Sequence, residues 1–240
     1  TVSYGGGTKN GPKEIIKASH QVELYDEELN CEPFKKIGIK TLKPFKIDKN
    51  INKALGKVSK INENILKKNM FPLTLGGEHS ITPGCIYPFT KKYKNLCILH
   101  FDAHADLRES YNGEKYSHAS AIRRCLDYKN VSLISFGIRN ISKGEIPFLK
   151  KNSSRIKIFW AKDKEKWNLT MFKKFIKNKT VYLTFDVDAF DSGIMPATGT
   201  PEPGGLLWDE TLKIIKIAMK NSKVVGADVN ELAPIKGFNS

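Results

Sequence analysis

The most informative stretch of this sequence is Ile98-Leu99-His100-Phe101-Asp102-Ala103-His104-Ala105-Asp106. The residues at 96–101 are mostly apolar, which is typical of a buried strand in an α/β sheet. Asp102, His104 and Asp106 then follow at every second position, and in an extended backbone such positions face the same side. Open α/β sheets bind their ligands at the carboxyl ends of strands. The stretch therefore predicts a core strand that ends in two carboxylates and an imidazole; the alternative is a polar loop with a chance Asp-x-His-x-Asp.

Two other apolar runs also end in potential metal ligands. Residues 181–185 precede Asp186 and Asp188, and residues 71–75 lead through two glycines to His79. The three strand ends together offer His79, Asp102, His104, Asp106, Asp186 and Asp188. This number of ligands suits two ions that share bridging carboxylates better than it suits one ion. An oxygen-rich set with few imidazoles favours Mn²⁺ or Mg²⁺, whereas thiolate-rich tetrahedral sets favour Zn²⁺.

These motifs resemble those of a known enzyme family. Residues 76–79 (Gly-Gly-Glu-His), 102–106 (Asp-Ala-His-Ala-Asp) and 185–188 (Phe-Asp-Val-Asp) look like the three metal motifs of the ureohydrolases, the arginase and agmatinase family. The resemblance continues through residues 199–205 and 226–234 and covers nearly the whole chain in the family's order. Three ordered motifs are more specific than any single one. Within the family, the chain resembles agmatinase most.

The order of elements and the resemblance imply the same fold. Strand and helix patterns alternate along the chain, which predicts a mainly parallel sheet with helices on both faces. The resemblance implies a single three-layer αβα catalytic domain over residues 1–240, with family segments missing at both ends of this sequence. We predict strands at 37–47, 71–75, 96–101, 131–137, 156–160, 181–185 and 223–229, and helices at 13–20, 50–68, 80–93, 143–152, 170–177 and 208–219, with a further helix that follows 117–119 and runs through 125.

The resemblance implies two Mn²⁺ ions per subunit. In the family, residues at the positions of Asp102 and Asp186 bridge the two ions. The remaining ligands complete one ion each, namely His79 and Asp106 for the first ion and His104 and Asp188 for the second.

Two further residues have catalytic roles by resemblance. His118 lies in the segment 116–118, Tyr-Ser-His, where the family has a histidine that serves as acid–base catalyst. Glu231 follows the last predicted strand, and a glutamate in this motif binds the guanidinium group of the substrate, for which a carboxylate is the matching partner. Without the resemblance, His118 is an ordinary loop histidine and Glu231 a capping or surface glutamate.

The implied reaction is hydrolysis of a guanidino compound, with agmatine and water giving putrescine and urea. A hydroxide that bridges the two Mn²⁺ ions would attack the guanidinium carbon. The loop at 107–114 resembles that of agmatinases, and agmatine has no carboxylate that would need donors in an acidic pocket. Arg108 is the exception, because it could pair with a substrate carboxylate, and Glu109 or Glu114 could neutralise it or bind the distal amine. The alternatives are arginine or guanidinobutyrate as substrate, or a two-metal phosphoesterase.

The composition limits the other function classes. The chain has 240 residues, of which 40% are hydrophobic, and this fits one domain or two small ones. The net charge of +15 is compatible with a nucleic-acid partner, but only five of the 40 basic residues are arginines, and the lysines form no long basic block. A lysine-coated surface without a nucleic-acid partner is therefore the better interpretation.

Membrane and redox features point to a cytoplasmic protein. No apolar run approaches the roughly 18 residues that a membrane span requires. Four scattered cysteines without a C-x-x-C pair indicate reduced thiols. The family resemblance adds the expectation of a homo-oligomer, a trimer or a hexamer, acting on a small cationic guanidino substrate.

Overall fold

A computed structural model describes residues 4–237 of the chain. The strands in this part are β1 (Leu73–Leu75), β2 (Leu96–Phe101), β3 (Val131–Phe136), β4 (Ile156–Phe159), β5 (Thr180–Asp186) and β6 (Lys223–Asn230). The α-helices of the same residues are α1 (Gly11–Ala18), α2 (Pro33–Ile37), α3 (Ile51–Lys67), α4 (Thr82–Lys92), α5 (Ala121–Cys125), α6 (Ile146–Lys151), α7 (Leu169–Ile176) and α8 (Trp208–Asn221). Short 3₁₀-helices cover Thr8–Asn10, His79–Ile81, His118–Ser120, Lys143–Glu145, Ala161–Lys166 and Val187–Ala189.

The six strands described here pair in parallel in one sheet of order β1-β6-β5-β2-β3-β4. From β2 the chain continues through α5 to β3 on one side, and from β5 it continues through α8 to β6 on the other side. Neighbouring strands whose connections leave in opposite directions form a crevice at their carboxyl ends, where open α/β sheets bind ligands. The fold therefore places a binding crevice directly after β2 and β5.

A hydrophobic cluster lies on each face of the sheet. Leu96 and Ile98 of β2 pack with residues of α3, α4 and α5, whereas Leu99 and Phe101 pack with residues of α7 and α8. Successive residues of a strand point to opposite faces, so a strand covered on both faces has a nearly continuous apolar sequence. The predicted three-layer α/β architecture with a parallel sheet is confirmed.

The packing of α3 against α4 supports the segment that carries His79. Helix α3 begins after Asn50, whose side chain accepts a hydrogen bond from the Lys53 N–H over 3.1 Å. Gly84 lets α4 approach closely, because a Cβ at this position would lie 2.8 Å from the Leu55 carbonyl oxygen. Helix α4 starts directly after the 3₁₀-helix that contains His79, so its position also fixes that histidine.

The predicted strand at 37–47 is wrong. Residues 33–37 form α2, and residues 38–47 have no regular secondary structure. Within the described chain, no strand pairs with this segment, and Ile39 is 73% exposed. Alternating apolar residues form a strand only where the backbone groups are paired and one face is packed. Neither condition is met here.

The other predicted helices and strands are present with ends displaced by a few residues, and in two helices a 3₁₀-helix replaces the first turn. The predicted helix at 80–93 begins with 3₁₀ residues His79–Ile81 before α4, and the one at 143–152 begins with Lys143–Glu145 before α6. Among the helices of residues 4–237, none combines the length and the apolar character needed to cross a membrane.

Candidate metal centre and substrate cavity

Five of the six predicted ligands follow the two central strands. Asp102, His104 and Asp106 lie in the loop directly after β2. Asp186 is the last residue of β5, and Asp188 lies in the following 3₁₀-helix, where its N–H donates to the Asp186 carboxylate over 3.0 Å. Because β2 and β5 are parallel neighbours, their carboxyl ends bring these side chains to one place.

The first ligand group surrounds the ring of His79. Its Nδ1 lies 3.0 Å from an oxygen of Asp102, 3.2 Å from one of Asp106 and 3.4 Å from one of Asp186. All four residues are buried, and Nδ1 makes no hydrogen bond. An imidazole nitrogen and three carboxylates thus converge inside the protein without satisfying one another. This donor set fits a divalent cation, because buried carboxylates so close together repel each other unless a positive charge pairs them.

The second ligand group surrounds the ring of His104. Its Nδ1 lies 3.0 Å from Asp188 Oδ2 and 3.5 Å from Asp102 Oδ1. Asp102 therefore directs one oxygen to each histidine, with Oδ2 facing His79 and Oδ1 facing His104. A carboxylate in this position is suited to join two cation sites.

The electrostatics of the cluster show how strongly the groups interact. Burial and the nearby Asp102 carboxylate raise the pKa of Asp106 to about 7. Burial lowers the pKa of His104, but contacts with Asp102 and Asp188 outweigh it and raise the pKa to about 12. Protons therefore offset part of the negative charge when no cation is present. A bound metal ion would take over this function and release protons.

A cavity of about 230 Å³ opens above the two ligand groups. His79, His104, Asp106, Asp186 and Asp188 line its inner part, and Gly5, Glu78, Arg108, Tyr111, His118, Asn140, Ser142, Glu145, Thr200, Glu202 and Glu231 are among the residues of its walls. The predicted catalytic residues His118 and Glu231 thus face the same space as the predicted ligands. The His118 ring packs edge-on against Tyr111, with 5.5 Å between the ring centroids.

Glu231 is held in the cavity wall by an unusual backbone conformation. Its φ angle is 66°, which non-glycine residues rarely adopt. Its N–H donates to the Gly77 carbonyl over 2.7 Å, and its side-chain Oε1 accepts from the His79 N–H over 2.6 Å. Burial raises the pKa of Glu231 to about 8, although the His79 N–H opposes the shift. Strained backbone of this kind persists where surrounding contacts over-determine it, and it clusters at functional sites.

Asp106 has the same feature, with a φ angle of 52°. Contacts on both sides hold its backbone. The Asp106 carbonyl accepts from the Arg123 N–H over 2.9 Å, and the next N–H, of Leu107, donates to the buried Glu145 carboxylate over 2.8 Å. The loop after β2 is thereby fixed to α5 and to the start of the helical segment at 143–151.

Comparison with known proteins agrees with this geometry. A sequence model described as Arginase family matches residues 1–240. The chain belongs to the arginase family. The resemblance to this family is thus confirmed at the level of the whole sequence.

Individual relatives of this arginase-family chain include agmatinases and another ureohydrolase. It is 37% identical over 241 residues to the agmatinase of Bacillus anthracis, covering 98% of this chain and 80% of the relative. It is 34% identical over 247 residues to the N(1)-aminopropylagmatine ureohydrolase of a Synechocystis strain, covering 99% of this chain and 79% of the relative. The crystal structure of agmatine ureohydrolase of Thermoplasma volcanium superposes with a TM-score of 0.88 at 29% identity, covering 100% of this chain and 80% of that one.

The structure adds His100, which our sequence reasoning missed. This histidine is completely buried within β2, and its Nε2 lies 2.9 Å from Asp102 Oδ2. Its Nδ1 lies 3.0 Å from the Ser135 hydroxyl on the neighbouring strand. His100 therefore orients the carboxylate that faces both ligand groups. Its position two residues before Asp102 carries the same alternation that identified the other ligands, so extending that pattern backwards would have found it.

A second group of missed residues lies behind His79. The Nε2 of His79 is 2.9 Å from the Thr184 hydroxyl, which donates to the buried carboxylate of Asp228 over 2.6 Å. Tyr182 donates to the other oxygen of Asp228 over 2.8 Å. Because the Thr184 hydroxyl donates to Asp228, it can accept from Nε2–H, which leaves Nδ1 of His79 available as a ligand.

The acidic partner of Arg108 differs from those considered from the sequence. The Arg108 Nε lies 4.0 Å from the buried Glu145 carboxylate, and its guanidinium lies 5.3 Å from the centre of the Tyr111 ring. Glu109 instead pairs with Arg123 and, over 3.1 Å, with Arg124. Glu109 thus lies beside the two guanidinium groups at the end of α5. It is not among the residues that line the cavity.

Proposed function

We propose that this chain is a binuclear manganese ureohydrolase that converts agmatine and water into putrescine and urea. The position of Asp102 carries the proposal, since its two oxygens face the His79 and His104 groups beside a cavity that also contains Glu231 and His118. Relatives named agmatinase and agmatine ureohydrolase support the choice of substrate.

The ligand set would hold one ion at His79 and Asp106 and another at His104 and Asp188. Asp102 would contribute to both, and by family resemblance Asp186 would do the same. When bound, the ions lower the pKa of water and supply a nucleophile near neutral pH. Four carboxylates and two imidazoles favour Mn²⁺ over Zn²⁺, which prefers thiolates and tetrahedral sites.

Glu231 is the residue that would bind the guanidinium group. Its carboxylate lines the cavity next to the first ligand group and is fixed by the His79 N–H. A guanidinium offers two parallel N–H donors, which a carboxylate accepts in a bidentate arrangement. Burial raises the pKa of Glu231 to about 8, and a cationic substrate beside it favours the ionised form. Substrate and carboxylate would therefore stabilise each other's charges.

His118 would transfer a proton to the leaving amine. It lines the cavity outside the six-ligand set, and the Tyr111 ring limits its orientation. A positioned histidine is the commonest acid–base catalyst, because its ordinary pKa lies near neutrality.

The outer part of the cavity favours a second positive charge on the substrate. Glu202 lines it and lies 3.8 Å from His104 Nε2, and its Oε1 accepts from the Asn140 side chain over 2.7 Å. We assign Glu202 to the distal ammonium group of agmatine. A substrate carboxylate would instead meet Arg108, whose charge is already directed to Glu145 and Tyr111.

Urea release from a panel of guanidino compounds tests the proposal. The panel contains agmatine, N(1)-aminopropylagmatine, arginine and 4-guanidinobutyrate, each with and without Mn²⁺, and p-nitrophenyl phosphate tests the phosphoesterase alternative. We expect Mn²⁺-dependent urea release that is fastest with agmatine. Hydrolysis of the phosphate ester without urea release from any guanidino compound would refute the ureohydrolase assignment, and a preference for another member of the panel would refute agmatine alone.

A further inference from the structure

Arg139 lies beside the cavity and has no role in the mechanism proposed above. It follows β3 in the segment 137–139, and its guanidinium is directed at backbone carbonyls. The acceptors are the carbonyls of Gly137 (3.1 Å), Asp188 (2.8 Å), Ala189 (3.4 Å), Phe190 (3.2 Å), Glu202 (2.7 Å) and Pro203 (3.0 Å). One side chain thus joins the turn after β5 to the segment 199–205.

The backbone next to Arg139 adds a third loop. The N–H groups of Arg139 and Asn140 both donate to the Ala103 carbonyl, over 2.8 Å and 2.9 Å. Ala103 lies between two predicted metal ligands in the loop after β2. Arg139 therefore stands where the two ligand-bearing loops meet the segment that carries Glu202.

The segment 199–205 depends on such contacts because it contains no helix or strand. Other hydrogen bonds hold its two ends. Asp191 accepts from the N–H groups of Gly204 and Gly205 over 2.6 Å and 3.0 Å, and Lys164 Nζ donates to the Gly205 carbonyl over 2.7 Å. At the other end, the Thr200 hydroxyl donates to Asp188 over 3.2 Å, and the Gly5 N–H donates to the Gly199 carbonyl over 3.0 Å. The backbone of Glu202 itself is held by Arg139, and its side chain is held by the neighbouring Asn140.

We propose that Arg139 is a positioning residue for the substrate end of the cavity, which fixes the 199–205 segment so that Glu202 meets the distal ammonium group of the substrate. This inference rests on the proposed function, in which Glu202 binds that group. Arg139 acts through Glu202 and does not touch the reacting atoms. Its loss should therefore weaken binding of substrates with a distal charge and spare substrates without one.

Arginine is needed at this position because of its shape. The planar guanidinium presents five N–H donors in a rigid fork, which can reach carbonyls of two segments at once. A lysine keeps the charge but concentrates three donors at one point. Arg139→Lys thus removes the connection between the segments without removing the positive charge.

The chain offers a matched control in Arg155. This half-buried arginine also donates to backbone carbonyls, namely those of Leu126 (2.7 Å), Tyr128 (3.1 Å) and Val131 (3.1 Å). It precedes β4, at the end of the sheet opposite the cavity. Arg155→Lys therefore reports the structural cost of such a replacement without any effect on the cavity.

The experiment compares agmatine with n-butylguanidine, which lacks the distal amine, for the wild type, R139K, R155K, E202Q and R139K/E202Q. We expect R139K to raise KM for agmatine by about tenfold or more, the effect of losing one charge-assisted contact, with little change in kcat or in bound Mn²⁺. KM for n-butylguanidine should stay unchanged in R139K, and the double variant should be no worse than E202Q alone. R155K should lower the Tm without changing KM for either substrate.

The other outcomes contradict the inference. Any of three results would assign Arg139 a purely structural role. These are equal losses with both substrates, additive effects of R139K and E202Q, and failure of both R139K and R139Q to fold while R155K folds. A wild type that releases urea from no guanidino compound would refute the proposed function and this inference with it. If the wild type does release urea, a contradictory result with the variants refutes only the role of Arg139 and leaves the proposed function intact.

Discussion

Thr184→Val tests whether the hydroxyl behind His79 determines which ring nitrogen of this histidine is available to a metal ion. In the structure, the Thr184 hydroxyl lies 2.9 Å from Nε2 and donates to Asp228 over 2.6 Å. This direction of donation lets the hydroxyl accept from Nε2–H, so that Nδ1, the atom that faces the three carboxylates, can offer its lone pair to a metal ion. Valine has nearly the same shape as threonine but neither donates nor accepts.

The expected magnitude follows from the contacts that are lost. His79 is 1% exposed, so water does not replace the missing partner of Nε2, and an unsatisfied buried polar group costs about 1–3 kcal/mol. For a chain of this size that corresponds to a fall in Tm of roughly 2–12 °C. Loss of a residue that orients a metal-bound histidine typically reduces metal affinity by about 10–100-fold. The reduction should concern one ion, because His104 in the other group makes no contact with Thr184 in the described structure.

Calorimetric titration of metal-free protein with Mn²⁺ measures the two affinities, and thermal unfolding measures the stability. Thr184→Ser is the matched control, since it keeps the hydroxyl and removes only a methyl group. We expect the valine variant to bind one ion normally and one weakly, and the serine variant to resemble the wild type in both affinities. Equal Mn²⁺ affinities in the valine and serine variants would refute the argument that this hydroxyl orients His79.

Four further predictions concern the site itself. Asp106→Asn should retain one Mn²⁺ ion per chain and Asp102→Asn none, as measured by elemental analysis, because Asp102 faces both groups whereas Asp106 contacts the His79 group; equal metal contents would contradict the division into two groups. His118→Ala should keep both ions and lose about 10²–10⁴-fold in kcat, and loss of metal would show that His118 is a ligand. The ratio kcat/KM for agmatine should exceed that for arginine by about 10²-fold or more. Arg108→Ala should not improve agmatine hydrolysis if Glu145 already neutralises Arg108.

The clustering of the candidate ligands could be predicted because its pattern is local. Aspartates and a histidine at alternate positions after an apolar run share one face, and the ends of parallel strands meet at one edge of the sheet. Asp102 directly follows β2 and Asp186 ends the adjacent strand β5, so the sequence rule and the sheet topology place them together. The same rule explains why the fold class was accessible, since the alternation of strands and helices leaves few arrangements.

The residues that support the ligands could not be predicted in the same way. Asp228 and Thr184 are 44 residues apart, and Glu145 and Leu107 are 38 apart, so their contacts depend on the finished fold. His100 is the exception, because it lies two residues before Asp102 and continues the same alternation, although the apolar residues around it are typical of a core strand. The wrong strand at 37–47 has the opposite cause, since a local pattern was present but no neighbouring strand was available to pair with it.

The charge of the chain and the charge of its cavity have opposite signs, and this difference bears on substrate choice. The chain carries a net charge of +15. The cavity, by contrast, is lined by Arg108 and by the carboxylates of Glu78, Asp106, Glu145, Asp186, Asp188, Glu202 and Glu231. Exposed lysines are screened within roughly 8 Å at physiological ionic strength, whereas buried groups are screened much less. A dication near the cavity therefore experiences mainly the local negative field, which two divalent ions would reduce but not cancel. The lysine surface is thus compatible with a cationic substrate, and under the proposed function the carboxylates of the cavity would provide the selectivity for it.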